Sequence, residues 1–428
     1  MKPPTADPTT TPRQATPVPR RVAWSTYAAG YFCDSYTELF VLIVPLWAVY
    51  LGMTPLEIGI LVASRAFLPF FLAIHGGVMM DRFGTRRVMI IVSAVCVVVP
   101  LLYPITPYLP LMMVLQTIGG LAGTWAWVGC QTQAVHVSNA DTAFVSRFSF
   151  FARAGAMSGP VILGITWDIL GPVGTFIIAG AWGAVFFVTS FIIPETVRTD
   201  ERSKKAASGQ AQPFRLMDLS PRLSDYIAAF ALMAIPAVAF VVCGSFVRAS
   251  SANIQNSFYV VYLTQIDFPG TLIGTLIALT QGAAGIGTLA GGPVERLLKP
   301  QTAFLVTVFA SVVFVTITPL LGGVFLLLAI AVVLRGFAQG VSQPIMFTYL
   351  SRAVSMHEQA TSIGLRTTVN RLAVLVLPVV MGAVAEVWGL GPSFLVIGGL
   401  LLILLTSIVL WLGPRTRVPA APDKDTSP

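Results

Sequence analysis

Charged side chains are scarce in this chain, where they make up 10% of the 428 residues while hydrophobic residues make up 55%. A water-soluble protein carries about a quarter charged residues, so this composition excludes an ordinary soluble enzyme or binding domain. The apolar stretches also lack the strict polar–apolar alternation of membrane β-strands, which argues against a barrel.

Cysteine is also scarce, and the four cysteines follow no functional spacing. Cys33, Cys96, Cys130 and Cys243 all fall in apolar runs, without the pattern of a metal site or of a disulfide framework. We interpret them as small buried apolar residues, and we predict neither a metal ion nor another cofactor. The N-terminus lacks the apolar core and cleavage site of a signal peptide, so the first apolar run is expected to be a retained span.

Long apolar runs are what the chain has in abundance, between Val22 and Leu412. Each is long enough for the roughly 20 residues that a helical membrane span needs, so they predict an all-α membrane protein. We place twelve spans at residues 22–50, 56–80, 87–104, 108–133, 144–167, 173–194, 227–264, 270–293, 302–318, 321–347, 359–386 and 391–412. The seventh run exceeds one upright span, and we expect one crossing preceded by an interfacial or tilted piece that breaks near Pro236.

Lysine and arginine are missing from alternate loops. The loops GMTPLE, YPITPYLP, DILGP, TQIDFP, TPLLGG and EVWGLGP contain neither, whereas DRFGTRR, ERLLKP and the C-terminal tail are basic. Basic loops stay on the cytoplasmic side of a membrane, so both chain ends are predicted to be cytoplasmic. The net charge of +8 reflects this distribution, and we therefore predict a lipid bilayer, but no nucleic acid, as a partner.

The two halves of the chain repeat each other. Six positions recur at an offset of 218, with an acid matching an acid in one case: Arg153/Arg371, Pro160/Pro378, Gly164/Gly382, Asp168/Glu386, Phe176/Phe394 and Gly180/Gly398. The repeat predicts two pseudo-symmetric six-helix bundles at 22–195 and 223–412, joined by a cytoplasmic linker at 196–222. Residues 1–21 and 413–428 are predicted to be disordered cytoplasmic tails. Repeated halves place a binding site near the midplane, between the bundles.

The loop after the second span, GVMMDRFGTRR at residues 77–87, fits the pattern G-x-x-x-D-R-x-G-x-R-R. With the span count, the repeat, the linker and the PET sequence after the sixth span, this loop makes the chain resemble the major facilitator superfamily. The resemblance implies that family's fold of two six-helix bundles. It also implies secondary active transport by alternating access, so an enzyme is not expected.

The resemblance also implies a gate on the cytoplasmic side. In the family, the acid of this motif holds the halves together against the N-terminal end of the eleventh helix, whose positive dipole end favours an anion. We carry this role over to Asp81 and Arg82, and we include Gly77, Gly84 and Arg86 of the same motif as gating residues. A simple topology anchor is the other interpretation of Arg86.

A glycine pattern in the fifth span has two interpretations. Gly155, Gly159 and Gly164 lie at helical spacing around Pro160, where glycines let another helix approach closely and proline permits a bend. One interpretation is plain helix packing. The other is a resemblance to the antiporter motif of proton-driven exporters in the family, which implies export. The fourth span departs from the family pattern, because Gln116 stands where an arginine is usual.

Asp34 and Glu38 are the two acids deep in the predicted spans. They are four residues apart and so share one helical face, where two adjacent carboxylates resist simultaneous ionisation. A charge near the bilayer centre costs about 2.5–3.5 kcal/mol on insertion scales, so these side chains are expected to face the bundle interior. We predict that Asp34 and Glu38 couple transport to protons, with Arg65 of the second span as their charge partner. A static ion network between the first two helices is the alternative.

Arg248 of the seventh span is predicted to bind substrate. It aligns with the stretch between Asp34 and Glu38, and a polar patch that includes Asn253 and Asn256 follows it. In the family, the first and seventh helices line the cavity, so we add Arg65 and Tyr31 to the substrate-binding residues. The partner of Arg248 is either the carboxylate pair or a negatively charged group of the substrate.

Three functions remain open at this point. The first is proton-coupled export of a small organic molecule, a drug or a metabolite, by an antiporter in the bacterial inner membrane. The second is proton-coupled uptake of an organic anion by a symporter, and the third is a non-transporting membrane sensor. The expected partners are the small-molecule substrate and protons, and the expected oligomeric state is a monomer, because one chain supplies both halves of the pathway.

Overall fold

The structure is a computed structural model, and it describes residues 18–138, 141–194, 230–353 and 359–413. Helices make up almost all of these ranges. The predicted linker and most of both predicted tails lie outside the described residues.

The described helices form spans that follow the predicted order. The first span is Arg20–Tyr50, the second Pro55–Ser64 with Phe67–Phe83, the third Thr85–Leu102, the fourth Leu109–Val137, the fifth and sixth Thr142–Ile192, the seventh Pro236–Gln255 with Phe258–Gln265, the eighth Gly270–Leu297, the ninth Pro300–Thr316, the tenth Phe325–Ala353, the eleventh Gln359–Trp388 and the twelfth Leu390–Leu412. Ten helices of the described ranges are long and apolar enough to cross a membrane.

Two details raise this count to the predicted twelve spans. The 51-residue helix Thr142–Ile192 turns sharply at Gly171, whose φ of +69° lies in the left-handed region that favours glycine. Its two arms are therefore the fifth and sixth spans. The ninth span is apolar as well but only 17 residues long.

The seventh span crosses once, as predicted. A short 3-10 turn, Leu232–Ala234, leads into the helix, and Pro236 stands at its first turn, where its missing N–H costs nothing. The helix is interrupted at Asn256 and Ser257 and resumes to Gln265. Since the pieces together form one crossing of 30 residues, the alternation of basic and non-basic loops is preserved.

The second span is broken at Arg65, which was predicted to lie in mid-helix. The carbonyl of Ser64 accepts a hydrogen bond of 3.0 Å from the Thr117 hydroxyl of the fourth span, which satisfies an acceptor at the break. A Cβ at Gly120 would lie 2.0 Å from the carbonyl oxygen of Arg65, so glycine permits this crossing. The break fixes where the Arg65 side chain enters the bundle.

Large apolar side chains cover the outside of the molecule, as a lipid-facing surface requires. Ile91 is 65% exposed, Leu289 82% and Trp411 67%. The ends of the bundle carrying the loops without lysine or arginine, residues 51–54, 103–108, 266–269 and 317–324 among them, are called the basic-poor face below. The opposite end is called the basic-rich face.

Candidate functional site

Glu38 lies where the two bundles meet. Its half-buried carboxylate interacts with the side chain of Gln281, which belongs to the eighth span in the other bundle. Gln281 Oε1 in turn accepts a hydrogen bond of 3.0 Å from Nη1 of Arg153 in the fifth span. Glu38 Oε2 is buried and has no hydrogen-bond partner among the described residues. The interface therefore holds a carboxylate oxygen with unused bonding capacity.

Asp34 sits one helical turn before Glu38 and completes what we call the carboxylate cluster: Asp34, Glu38, Arg153 and Gln281. The charge of Arg153 acts on Asp34, and the charges of Asp34 and Arg153 both act on Glu38. Arg153 of the fifth span thus neighbours both acids, and the charge of Arg65 acts on Glu38 as well. Two neighbouring carboxylates resist simultaneous ionisation, so the cluster is suited to hold a proton.

Arg65, the predicted charge partner of the two acids, lies near Glu38 and among aromatic residues of the first bundle. Its guanidinium lies 5.3 Å from the ring centroid of Phe40, and its charge acts on Tyr36, Tyr103 and Glu38. Arg65 thus lies beside Glu38 and the aromatic residues of the first bundle, and its role as charge partner of both carboxylates stays a prediction.

Arg153 and Gln281 are the residues that sequence reasoning missed. Arg153 stood out only as one position of the internal repeat, although an arginine inside an apolar run is costly and for that reason functional or paired. Gln281 is uncharged and carries no comparable signal. Only the packing of the fifth span against the eighth brings it to the carboxylates.

Arg248, half-buried in the seventh span, is held by the tenth span. Its Nε donates to Ser342 Oγ at 2.7 Å, and its Nη2 donates to the Gln339 carbonyl and to Gln343 Oε1, both at 3.3 Å. All of these partners are neutral. The charge of Arg248 is thus positioned by hydrogen bonds without being neutralised by them.

Two more arginines lie near Arg248, and we call Arg248, Arg335 and Arg366 the arginine cluster. The positive charge of Arg366 repels that of Arg248, and the charge of Arg248 repels that of Arg335. Arg335 is only 2% exposed and donates to the Ser251 carbonyl at 3.0 Å. Arg366 stacks over the ring of Phe347, with 4.4 Å from its guanidinium carbon to the ring centroid.

This cluster has no acid beside it in the described part of the second bundle. The acids of that part are Asp267, Glu295 and Glu386, and all three lie at helix ends. Like charges without a counter-ion repel one another in a low-dielectric interior. The cluster is therefore a place where an anionic group is favoured.

The other predicted binding residues are engaged differently. The Asn253 amide donates to the Ala249 carbonyl of its own helix at 2.8 Å, and Asn256 is exposed at the interruption of the seventh span. The hydroxyl of Tyr31 hydrogen-bonds to Ser158 of the fifth span. Their role in substrate binding stays a prediction.

The sequence model of the Major Facilitator Superfamily matches residues 24–242 and 241–428. The chain belongs to the major facilitator superfamily. Solved structures agree with this fold. A mutant form of the nucleoside transporter NupG is 13% identical with a TM-score of 0.79, the alignment covering 91% of this chain and 99% of that one.

Two other transporter structures are similar to this superfamily member. A bacterial homologue of the human lysosomal transporter Spinster, inward-facing and unoccupied, is 13% identical, with a TM-score of 0.70 and coverage of 95% and 100%. A POT family transporter in complex with a thioalcohol-conjugated peptide is 12% identical, with a TM-score of 0.67 and coverage of 93% and 97%. At these identities the likeness shows the fold. With the family match, it makes the chain a multi-pass membrane transporter and not an enzyme.

The superfamily's loop motif is described only in part. Gly77, Asp81 and Arg82 fall in the second span, and their side chains lie outside the described residues. Gly84 joins the second and third spans with a φ of +89°, which favours glycine. Arg86 Nη2 donates to the Phe191 carbonyl at 2.7 Å and so ties the third span to the end of the sixth.

The glycine pattern of the fifth span contacts both bundles. A Cβ at Gly155 would lie 2.1 Å from the Tyr31 carbonyl oxygen, and one at Gly159 would lie 2.9 Å from the Leu39 side chain. A Cβ at Gly164 would instead meet the Gly270 carbonyl of the eighth span at 2.2 Å. The fifth span thus packs closely on the helix that carries the two carboxylates and also on the opposite bundle.

Proposed function

We propose that this transporter is a proton-coupled exporter of a small organic molecule, working by alternating access as a monomer in the bacterial inner membrane with both termini in the cytoplasm. The proposal rests on one observation above all. The Glu38 carboxylate lies at the interface of the bundles beside a second acid and the cations Arg153 and Arg65, and its Oε2 is buried without a hydrogen-bond partner among the described residues.

Protonation of such a carboxylate can be coupled to the movement of one bundle relative to the other. A protonated carboxyl has no net charge to stabilise, whereas an ionised one depends on Arg153 and Gln281. Because Gln281 belongs to the eighth span and Arg153 to the fifth, separation of these spans changes the surroundings of Glu38. A proton is therefore held more tightly in one conformation than in the other, as coupling requires.

Transport in proteoliposomes with an imposed pH gradient tests the proposal. The substrate is found first by a thermal-stability screen over drugs, organic acids, nucleosides and short peptides. We expect Glu38→Gln to lower gradient-driven accumulation by about tenfold or more, equivalent to about 1.4 kcal/mol, while exchange of labelled for unlabelled substrate continues. Accumulation at the parent rate in Glu38→Gln would overturn the proposal.

Glu57→Gln is the matched control for this substitution. Glu57 lies on the basic-poor face, where its side chain accepts from the Thr54 amide in a capping box at the start of the second span. The same chemical change is thus made far from the carboxylate cluster. We expect it to leave the gradient dependence at the parent value.

A second function, proton-coupled uptake of an organic anion, is favoured by the arginine cluster. Its three cations have no carboxylate beside them among the described residues. This function requires that ligand stabilisation be confined to anions and that Arg248→Ala remove it, whereas Arg296→Ala on the exposed basic-rich face leaves it intact. It also requires substrate and protons to move in the same direction. Opposite directions support the exporter.

A further inference from the structure

Two acids on the basic-poor face reach from one bundle to the other. Asp168, at the end of the fifth span, accepts three hydrogen bonds from the start of the eighth span. They come from the Gly270 amide at 2.7 Å, the Thr271 amide at 2.8 Å and the Thr271 hydroxyl at 2.6 Å. Glu386, at the end of the eleventh span, accepts one bond of 3.2 Å from the Leu56 amide at the start of the second span.

These contacts repeat under the internal symmetry. Asp168 and Glu386 occupy equivalent positions, 218 residues apart, and each meets the N-terminal turn of a helix in the other bundle. The first amides of a helix have no partner within it, and the positive end of the helix dipole lies there. A carboxylate supplied by the opposite bundle therefore both caps the helix and holds the two bundles together.

Close backbone packing accompanies each contact. A Cβ at Gly164 would lie 2.2 Å from the Gly270 carbonyl oxygen, and one at Gly274 would lie 2.2 Å from that of Pro160. At the other contact, a Cβ at Gly59 would lie 2.3 Å from the Pro378 carbonyl oxygen. On the basic-poor face, main-chain contact between the bundles thus accompanies both carboxylate contacts.

The two contacts differ in whether the helix that each carboxylate caps has another cap at its N-terminus. The eighth span begins after Pro269, which offers no side-chain cap, so Asp168 supplies the cap that the local sequence lacks. The second span begins after Thr54, which already forms a capping box with Glu57. Loss of Asp168 would leave the eighth span uncapped, whereas loss of Glu386 would leave the second span capped. Asp168 is therefore the stronger link.

We propose that Asp168 and Glu386 are gating residues that form a paired latch on the basic-poor face, and that opening of this face requires both carboxylates to release the helix ends of the opposite bundle. This inference depends on neither the substrate nor the direction of transport. Its role is distinct from that of the loop motif on the basic-rich face, because it stabilises the opposite closed state.

Distance measurements between two spin labels test the latch. The labels are attached at Ile105→Cys and Leu320→Cys, which are 70% and 67% exposed on the basic-poor face in opposite bundles, in a full-length protein whose four native cysteines are replaced. In nanodiscs, we expect Asp168→Asn to raise the population of the longer distance about fivefold, a size typical of coupling between conformational states. Glu386→Gln should raise it less, and the double variant more.

Controls separate a latch from a merely structural contact. Glu57→Gln removes a carboxylate of the same face that caps its own helix, and it should leave the distance distribution unchanged. Asp168→Glu keeps the charge and should restore the shorter distance. If Asp168→Asn does not fold, Thr271→Val removes one of its donors and should shift the population in the same direction. An unchanged distribution in the folded Asp168→Asn or Thr271→Val protein would overturn the latch.

Discussion

At the residue scale, the important feature is that Arg153 neighbours both Asp34 and Glu38. Sequence reasoning identified Asp34, Glu38 and Arg248 because a charge inside an apolar run stands out and must face the interior. It did not find Gln281, because an uncharged side chain in a span gives no such signal. The break of the second span at Arg65 was not predicted either, because an apolar sequence does not reveal it.

The role of Arg153 leads to a prediction about pH. Removing a cation makes neighbouring carboxylates easier to protonate, and the charge of Arg153 acts on both Asp34 and Glu38. We therefore expect Arg153→Gln to move the pH midpoint of substrate exchange upward by about one unit. The measurement is exchange in liposomes with equal pH on both sides.

Arg147→Gln is the control for this prediction. Arg147 is exposed on the same helix, about two turns earlier, near the basic-rich face. Its loss should leave the pH midpoint where it is in the parent protein. A midpoint that is the same in both variants and in the parent would mean that Arg153 does not tune the carboxylates.

At the scale of the helix, hydropathy and turn residues placed the spans well, because both depend on local sequence. The fifth and sixth spans were separated correctly at the DILGP loop, where Gly171 makes the turn. Which helix faces touch was harder to predict. The pattern of Gly155 and Gly159 indicated close packing, but only the structure shows that the partner is the helix carrying the carboxylates.

Close packing of the fifth span predicts a large effect from a single methyl group. A Cβ at Gly155 would lie 2.1 Å from a backbone oxygen, which cannot move aside as a flexible side chain can. We expect Gly155→Ala to destabilise the protein by about 1–3 kcal/mol, as overpacking does, and to lower its melting temperature in detergent. Gly399→Ala in the twelfth span, where a Cβ meets nothing within 4 Å, should be neutral. Equal melting temperatures for the two variants would argue against this packing.

At the scale of the whole molecule, the internal repeat predicted the two-bundle fold, and the match to the major facilitator superfamily confirms it. The two bundles nevertheless differ in the charges that they carry, which the repeat did not reveal. The first bundle carries two acids at the interface, whereas the second carries three neighbouring cations that have no acid beside them among the described residues. An exporter or an anion symporter would use this charge asymmetry in different ways, but under our proposal both would use the carboxylate cluster to hold the proton.

The central claim is that the carboxylate cluster exchanges a proton as the bundles move. Measuring proton flux across the membrane tests this claim most directly. Liposomes that contain a pH-sensitive dye report proton flux while the substrate found in the screen moves down its own gradient. The account predicts substrate-driven proton flux in the parent protein, and its loss in the Asp34→Asn, Glu38→Gln double variant. The same proton flux in the double variant, or substrate movement without any proton flux in the parent, would contradict the account.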